Sequence, residues 1–153
     1  MSDSERPRPR SSRKHFRAGD AEALRELRSL LLHQHKVLME MARREWERAE
    51  GRVAGPGELL HLLMEDPALA WLRLLSSKVA RLDAILDDPE DGQAETLVAE
   101  VDGLILERGP EEAEFQIRYE SALASSADAT LLHVQLAHAL RKVRGPLPLL
   151  DPA

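Results

Sequence analysis

Apolar positions recur every three or four residues along most of this chain, and they are densest between Glu58 and Leu86. Within that stretch Ala68, Leu72, Leu75, Val79, Leu82 and Leu86 fall on one helical stripe. Leu69, Trp71, Leu74 and Ile85 widen the stripe beyond a simple amphipathic face. A helix apolar over most of its girth belongs at the centre of a bundle, with neighbours on more than one side. The stretch carries two start signals. Pro56 with Glu58 opens a short helix to Glu65, because proline loses nothing at a first helical position and an acid there favours the helix dipole. Asp66-Pro67 is then an N-cap followed by a proline that cannot donate to the preceding turn, so the helix breaks and a second runs to about Asp87.

Upstream, residues 20–51 contain no proline and no glycine before Gly51, and Asp20 is a candidate N-cap. Leu24, Leu27, Leu31, His35, Leu38, Ala42, Glu45 and Ala49 trace its stripe, with Leu30, Met41 and Trp46 beside it. At ~1.5 Å per residue this helix is roughly 45–50 Å long. The short turn at 54–57 predicts that it lies antiparallel to the broken pair that follows.

Downstream, Pro89 to Gly92 and Gly109-Pro110 punctuate the chain. Residues 93–108 place Ala94, Leu97, Val98, Val101, Leu104 and Ile105 on one face. Residues 110–124 space Phe115, Tyr119 and Ala122 helically, with Ile117 and Leu123 to the side. Ser125 to Asp128 is a capping cluster, and residues 128–144 turn Leu132, Leu136, Ala139, Leu140 and Val143 inward. Gly145-Pro146 ends that helix. His133 and His138 sit on its flanks and read as surface groups.

The expectation is an all-α antiparallel helical bundle of four to five helices over residues 19–145. Its second helix breaks at Asp66-Pro67. A disordered basic N-terminal arm (1–18) precedes it, and a Pro/Leu tail (146–153) follows, with Leu147, Leu149 and Leu150 apolar enough to dock on the bundle or a partner.

Composition narrows this picture. With 153 residues the chain is one domain by length, and scarce aromatics and abundant leucine argue against β structure. No apolar run is long enough for a transmembrane helix, and the basic N-terminus lacks the apolar core of a secretory signal. The absence of cysteine removes disulfides, thiolate metal sites and cysteine nucleophiles, and fits a cytoplasmic protein. Arginine outnumbers lysine 17 to 4 within the 21 basic residues, a usage associated with GC-rich bacterial genomes.

The net charge of −6 conceals an asymmetry. Residues 1–17 carry Arg6, Arg8, Arg10, Arg13, Lys14 and Arg17 against Asp3 and Glu5, which is +4. The remaining −10 falls almost wholly within residues 87–114. The arm is therefore a candidate contact for nucleic acid or an acidic partner, although the acidic body repels phosphate. His15 belongs to the arm.

Candidate chemistry is sparse. Glu58 and His61 have the Glu-x-x-His spacing of di-iron carboxylate bundles, but no second such pair occurs. His35 lies on the apolar stripe of the first helix, and Glu45 lies two turns and more beyond it. Glu58, His61, His35 and Glu45 are the candidate ligands for iron, or for haem through an axial histidine. The alternative for His35 is a core-edge histidine hydrogen-bonded to a neighbouring helix. His33 and His35 stand about 200° apart on the helix and cannot share a metal. No nucleophile elbow, P-loop, dinucleotide fingerprint or H-E-x-x-H occurs, and Ser76-Ser77 reads as packing rather than a nucleophile.

Two resemblances add to this. Ala113, Ile117-Arg118-Tyr119 and Ala122-Leu123, followed by Asp128 and Leu136-Ala137, resemble part of a tetratricopeptide-type helix pair. No second copy follows at that repeat's ~34-residue period, so no repeat array is implied. Pro56-Gly57-Glu58-Leu59-Leu60, Asp66-Pro67 and Ala70-Trp71-Leu72 resemble small bacterial helical-bundle proteins, a resemblance that implies the bundle and no activity.

The leading functional expectation is a non-enzymatic interaction or regulatory protein, self-associating as a dimer or binding a protein partner, with no membrane contact. Trp46 and Trp71 are candidate partner contacts, together with Met39, Met41 and the spare apolar girth of the central helix.

Overall fold

A computed structural model describes residues 18–88, 93–106 and 113–144. The basic arm, the tail and the acidic residues at 89–92 and 107–112 lie outside the described residues. The fold is all-α. Helix α1 spans Ala18–Glu50, α2 Pro56–Glu65, α3 Ala70–Asp87, α4 Gln93–Ile105, α5 Ala113–Ser125 and α6 Ala127–Arg144, with a 3-10 turn at Pro67–Leu69. With the pair on either side of Asp66-Pro67 taken as one broken helix, this is the bundle of five expected. The break at Asp66-Pro67 gives two separate helices, and α5 is a full core member because Phe115 and Tyr119 are buried.

Helix α1 runs antiparallel to α3. Arg28 meets Asp83 at one end of the contact and His35 meets Ser76 further along, so the register descends on one helix as it climbs on the other. The other long face of α1 packs on α6, again antiparallel, with Lys142 reaching Glu26 at one end and Gln34 reaching the Ala129 carbonyl nearer the other. Helix α4 crosses α3 and α6, and α5 bridges α6, α3 and α4.

Most of the apolar girth of α3 is covered inside the chain. Leu72, Leu75, Leu82 and Ile85 are buried, Trp71, Val79 and Leu86 pack at the core's edge, and α1, α2, α4 and α5 all touch this helix. The prediction of burial on more than one side holds. Its own neighbours cover most of this girth, while Leu74 stays 36% exposed.

Local signals account for most boundaries. Asp66 caps the 3-10 turn, its Oδ1 accepting from the Ala68 amide at 2.8 Å. Ser126 caps α6, its Oγ accepting from the Ala129 amide at 3.0 Å. Gly51 ends α1 with φ +103°, a left-handed conformation that costs a residue with a side chain far more. The chain then turns over two carboxylates. Glu47 accepts from the Val53 amide at 2.9 Å, and Glu58 accepts from the Ala54 amide at 2.7 Å. The start of α1 differs from expectation. Ala18 already lies in the helix, so Asp20 is its third residue rather than its cap.

Candidate functional site

Polar groups inside the bundle converge where α1, α5 and α6 meet. Gln34 is fully buried, at 0% exposure. Its Nε2 donates to the Ala129 carbonyl at 2.8 Å and to the Tyr119 hydroxyl oxygen at 3.1 Å. A carbonyl only accepts, which fixes the amide orientation. Having accepted from Gln34, the Tyr119 hydroxyl turns its own proton to His133 Nδ1, 2.9 Å away. His133 is thereby held as the tautomer with its proton on Nε2. Burial pushes the Tyr119 hydroxyl up to about 12, opposed by the hydrogen bond from Gln34, so the phenol stays protonated as a donor. Gln34 Oε1 accepts no hydrogen bond among the described residues.

An aromatic file extends from this seam. Tyr119 stacks on Phe115 with ring centres 5.3 Å apart, and Phe115 meets Trp71 at 5.5 Å and 58°. The His133 ring closes the other end against Tyr119 at 5.5 Å. These contacts tie α3, α5 and α6 to one another with geometry-dependent attraction beyond simple burial. They leave Trp71 half-buried, with one face against Phe115.

A second internal pair lies one helical step away. His35 Nε2 and Ser76 Oγ are 2.6 Å apart across the α1–α3 seam. This is the neighbouring-helix hydrogen bond expected of a core-edge histidine. Ser76 Oγ also donates to the Leu72 carbonyl at 3.2 Å, the back-bond usual for serine inside a helix. With its proton directed there, the hydroxyl accepts from His35 Nε2–H. Histidine in that tautomer is not a base toward Ser76, so the pair lacks the arrangement of an activated nucleophile. Desolvation by burial lowers the His35 pKa.

The predicted metal ligands do not come together. His35 is committed to Ser76, Glu58 ties the α1–α2 turn, and His61 and Glu45 are exposed. Among the described residues no group of three His, Asp or Glu side chains is placed to hold a metal ion. Glu45 leaves the stripe because the inner face of α1 rotates through Leu24, Leu27, Leu31, Gln34, Leu38 and Ala42. Trp46 is half-buried at the far end of α1, and Met39 and Met41 pack against the core. Part of the acidic segment is spent internally too. Glu100 binds Arg81 at 2.5 Å and Lys78 at 3.0 Å, which hold its carboxyl below the usual range, and Asp102 is buried.

On the outer side of the α5–α6 hairpin the surface is different. A groove of about 560 Å3 is lined by Leu123, Ala124, Ser126, Thr130, Leu131 and Val134, with Ser125 and Ala127 completing it. None of these side chains is charged. Leu131 and Val134 are each 59% exposed. Ile117, 68% exposed, lies two turns before Ala124 on the same face of α5. The walls are fixed, because the connection is the single residue Ser126 and Thr130 Oγ1 donates back to the Leu123 carbonyl at 2.8 Å. A second apolar edge is formed by Leu60 and Met64 on α2, also more than half exposed.

Sequence reasoning missed Gln34 and His133 as inward groups, although the signal was present. Gln34 completes the series 27, 31, 34, 38, and His133 the series 129, 133, 136, 140, both at helical spacing. Their polarity disguised positions that the period assigns to the core.

No protein family, curated protein or solved structure matches this chain. Among the described residues no helix is long and apolar enough to cross a membrane.

Proposed function

We propose that this protein is a non-enzymatic interaction module, and that it takes an apolar segment of a protein partner into the α5–α6 groove. The observation that supports this most is the pairing of a rigid floor with exposed aliphatic walls. Leu131 and Val134 stand open on a hairpin whose other face is locked by the Gln34–Tyr119–His133 seam. A charge-free concavity edged by large aliphatic side chains is the usual form of a docking surface for an apolar helix or extended segment. The chemistry inside the bundle supports the same reading, since His35 is oriented as a donor to Ser76 and the buried Tyr119 hydroxyl is spent on Gln34 and His133.

The reading predicts that a leucine-rich amphipathic helical peptide perturbs the backbone amide resonances of residues 123–134. The variant Leu131→Asp/Val134→Asp, with both changes at exposed positions, should keep the fold and lose the perturbation. A wild-type spectrum unmoved by such peptides, from a protein that also stays monomeric in sedimentation at high concentration, overturns the proposal.

A further inference from the structure

The face that carries the groove also carries a ridge. Leu131 and Val134 stand out along α6, and the uncharged groove between α6 and α5 runs beside them. Two copies related by a two-fold axis use the same patch twice, so such a patch must complement itself. This face does so in shape, because the ridge of one copy enters the groove of the other. It does so in charge as well. Asp128 precedes the ridge on α6 and Arg141 and Lys142 follow it, all three exposed. Asp128 and Lys142 lie about four turns apart on one flank of the helix, and two-fold antiparallel pairing sets like flanks against each other. From the midpoint of Leu131 and Val134, Asp128 lies about 7 Å to one side along the axis and Lys142 about 14 Å to the other. Antiparallel pairing about that midpoint therefore leaves an axial gap of about 7 Å between Lys142 of one copy and Asp128 of the other, which their side chains span together. Parallel pairing instead sets Asp128 on Asp128 and Lys142 on Lys142. Lys142 also holds Glu26 of its own chain at 2.9 Å, and Arg141 beside it keeps that end of α6 net positive. The second open apolar edge, Leu60 and Met64 on α2, has no such balance, since its charged neighbours Glu58, Glu65 and Asp66 are all acids that repel their own copies.

Resting on the docking reading of the groove, we propose that its occupant is a second copy of this chain, the two α6 helices lying antiparallel with Leu131 and Val134 of each seated in the other's groove. Helix α6 has 18 residues, about 27 Å, and with α5 beside it, each about 10 Å wide, the covered face is about 500 Å2 per copy. A standard interface covers about 800 Å2 per partner, so this dimer is a transient one that forms near about 0.1–1 mM.

The test is sedimentation of the full chain from about 10 μM to about 1 mM at low salt, joined to titration by the leucine-rich amphipathic peptide. The expected result is a monomer–dimer equilibrium, abolished in Leu131→Asp/Val134→Asp. Asp128→Lys should weaken it several-fold, and Asp128→Lys/Lys142→Glu should restore it, with circular dichroism confirming that each variant is folded. If the aspartate pair unfolds the chain, the two charge variants decide the matter. A dimer that survives Leu131→Asp/Val134→Asp lies on another face and overturns the proposal, and so does one indifferent to both charge changes. A clean monomer at the highest concentration also overturns it, and the peptide then separates the two readings. If the peptide still moves the resonances of residues 123–134, the docking groove stands and takes a different partner. If it moves nothing, both readings fall. A groove dimer that the peptide cannot dissociate supports the proposal and makes the second copy the sole partner of the groove.

Discussion

His35 Nε2 lies 2.6 Å from Ser76 Oγ, and the contact joins two core helices, α1 and α3. The imidazole is largely removed from water, which disfavours its charged form and lowers its pKa. The unfolded chain therefore binds a proton here before the folded one does, starting near the ordinary imidazole value of about 6.5. Because the folded-state value is depressed, the stabilising contribution is fully present above that pH and is lost as pH falls toward the folded-state value. Thermal melts followed by circular dichroism should show Tm falling between pH 7 and pH 5, before most carboxylates titrate. In His35→Gln, which keeps a donor for Ser76, that slope should flatten. An unchanged slope would show that His35 is not the group responsible.

Gln34 gives a second expectation. Replacing it by Met keeps most of the volume and removes the donor to Tyr119 and Ala129, at a cost of about 1–2 kcal/mol. Loss of the unpartnered Oε1 offsets part of that cost. Gln34→Ala adds a cavity where the side chain is wholly enclosed and should cost about 2–4 kcal/mol. Denaturant unfolding measures both. A double-mutant cycle with Tyr119→Phe should return a coupling on the order of 1 kcal/mol, and additive losses would show that the two side chains do not act together.

How much of this was legible beforehand follows from what periodicity can encode. The break at Asp66-Pro67, the antiparallel pairing of α1 with the helices after it, and the inward faces of α4 and α6 all follow from local signals: a cap, a proline, a stripe. The site was not legible in the same way. Gln34 and His133 are polar residues in apolar series, and a period analysis built on hydrophobicity passes over them. Their partners, Tyr119 and Ala129, are distant in sequence, so only the packed bundle shows why burying them is tolerable. The apolar surplus of α3 was only partly informative for a related reason. Girth alone shows that a helix needs neighbours, but whether they come from the same chain depends on how α4 and α5 return to it.

The aromatic file makes α5 an energetic keystone for its neighbours. Phe115 is 1% exposed and sits between Trp71 and Tyr119. Phe115→Ala should cost about 3–5 kcal/mol, the range for truncating a buried aromatic. It should also change the emission of Trp71, read alone in a Trp46→Phe background. A variant whose stability falls by less than ~1 kcal/mol, with Trp71 emission unchanged, would mean that α5 is not held by this contact.

The last prediction concerns the break that divides α2 from α3. Asp66 Oδ1 accepts from the Ala68 amide, and Pro67 fills the first helical position, where its missing donor costs nothing. The same junction is clasped from the other side. Arg73 donates to the Leu63 and Met64 carbonyls, at 2.7 Å and 3.0 Å, which satisfies the end of α2 from within α3. Asp66→Ala should therefore lose about 1 kcal/mol and leave the bend in place, because the proline and the arginine clasp remain. Arg73→Met should loosen α2 itself, which relies on contacts with α3 and the 3-10 turn. Hydrogen exchange separates the two. Protection of the α2 amides should fall in Arg73→Met and hold in Asp66→Ala, and equal loss in both would mean that cap and clasp act as a single unit.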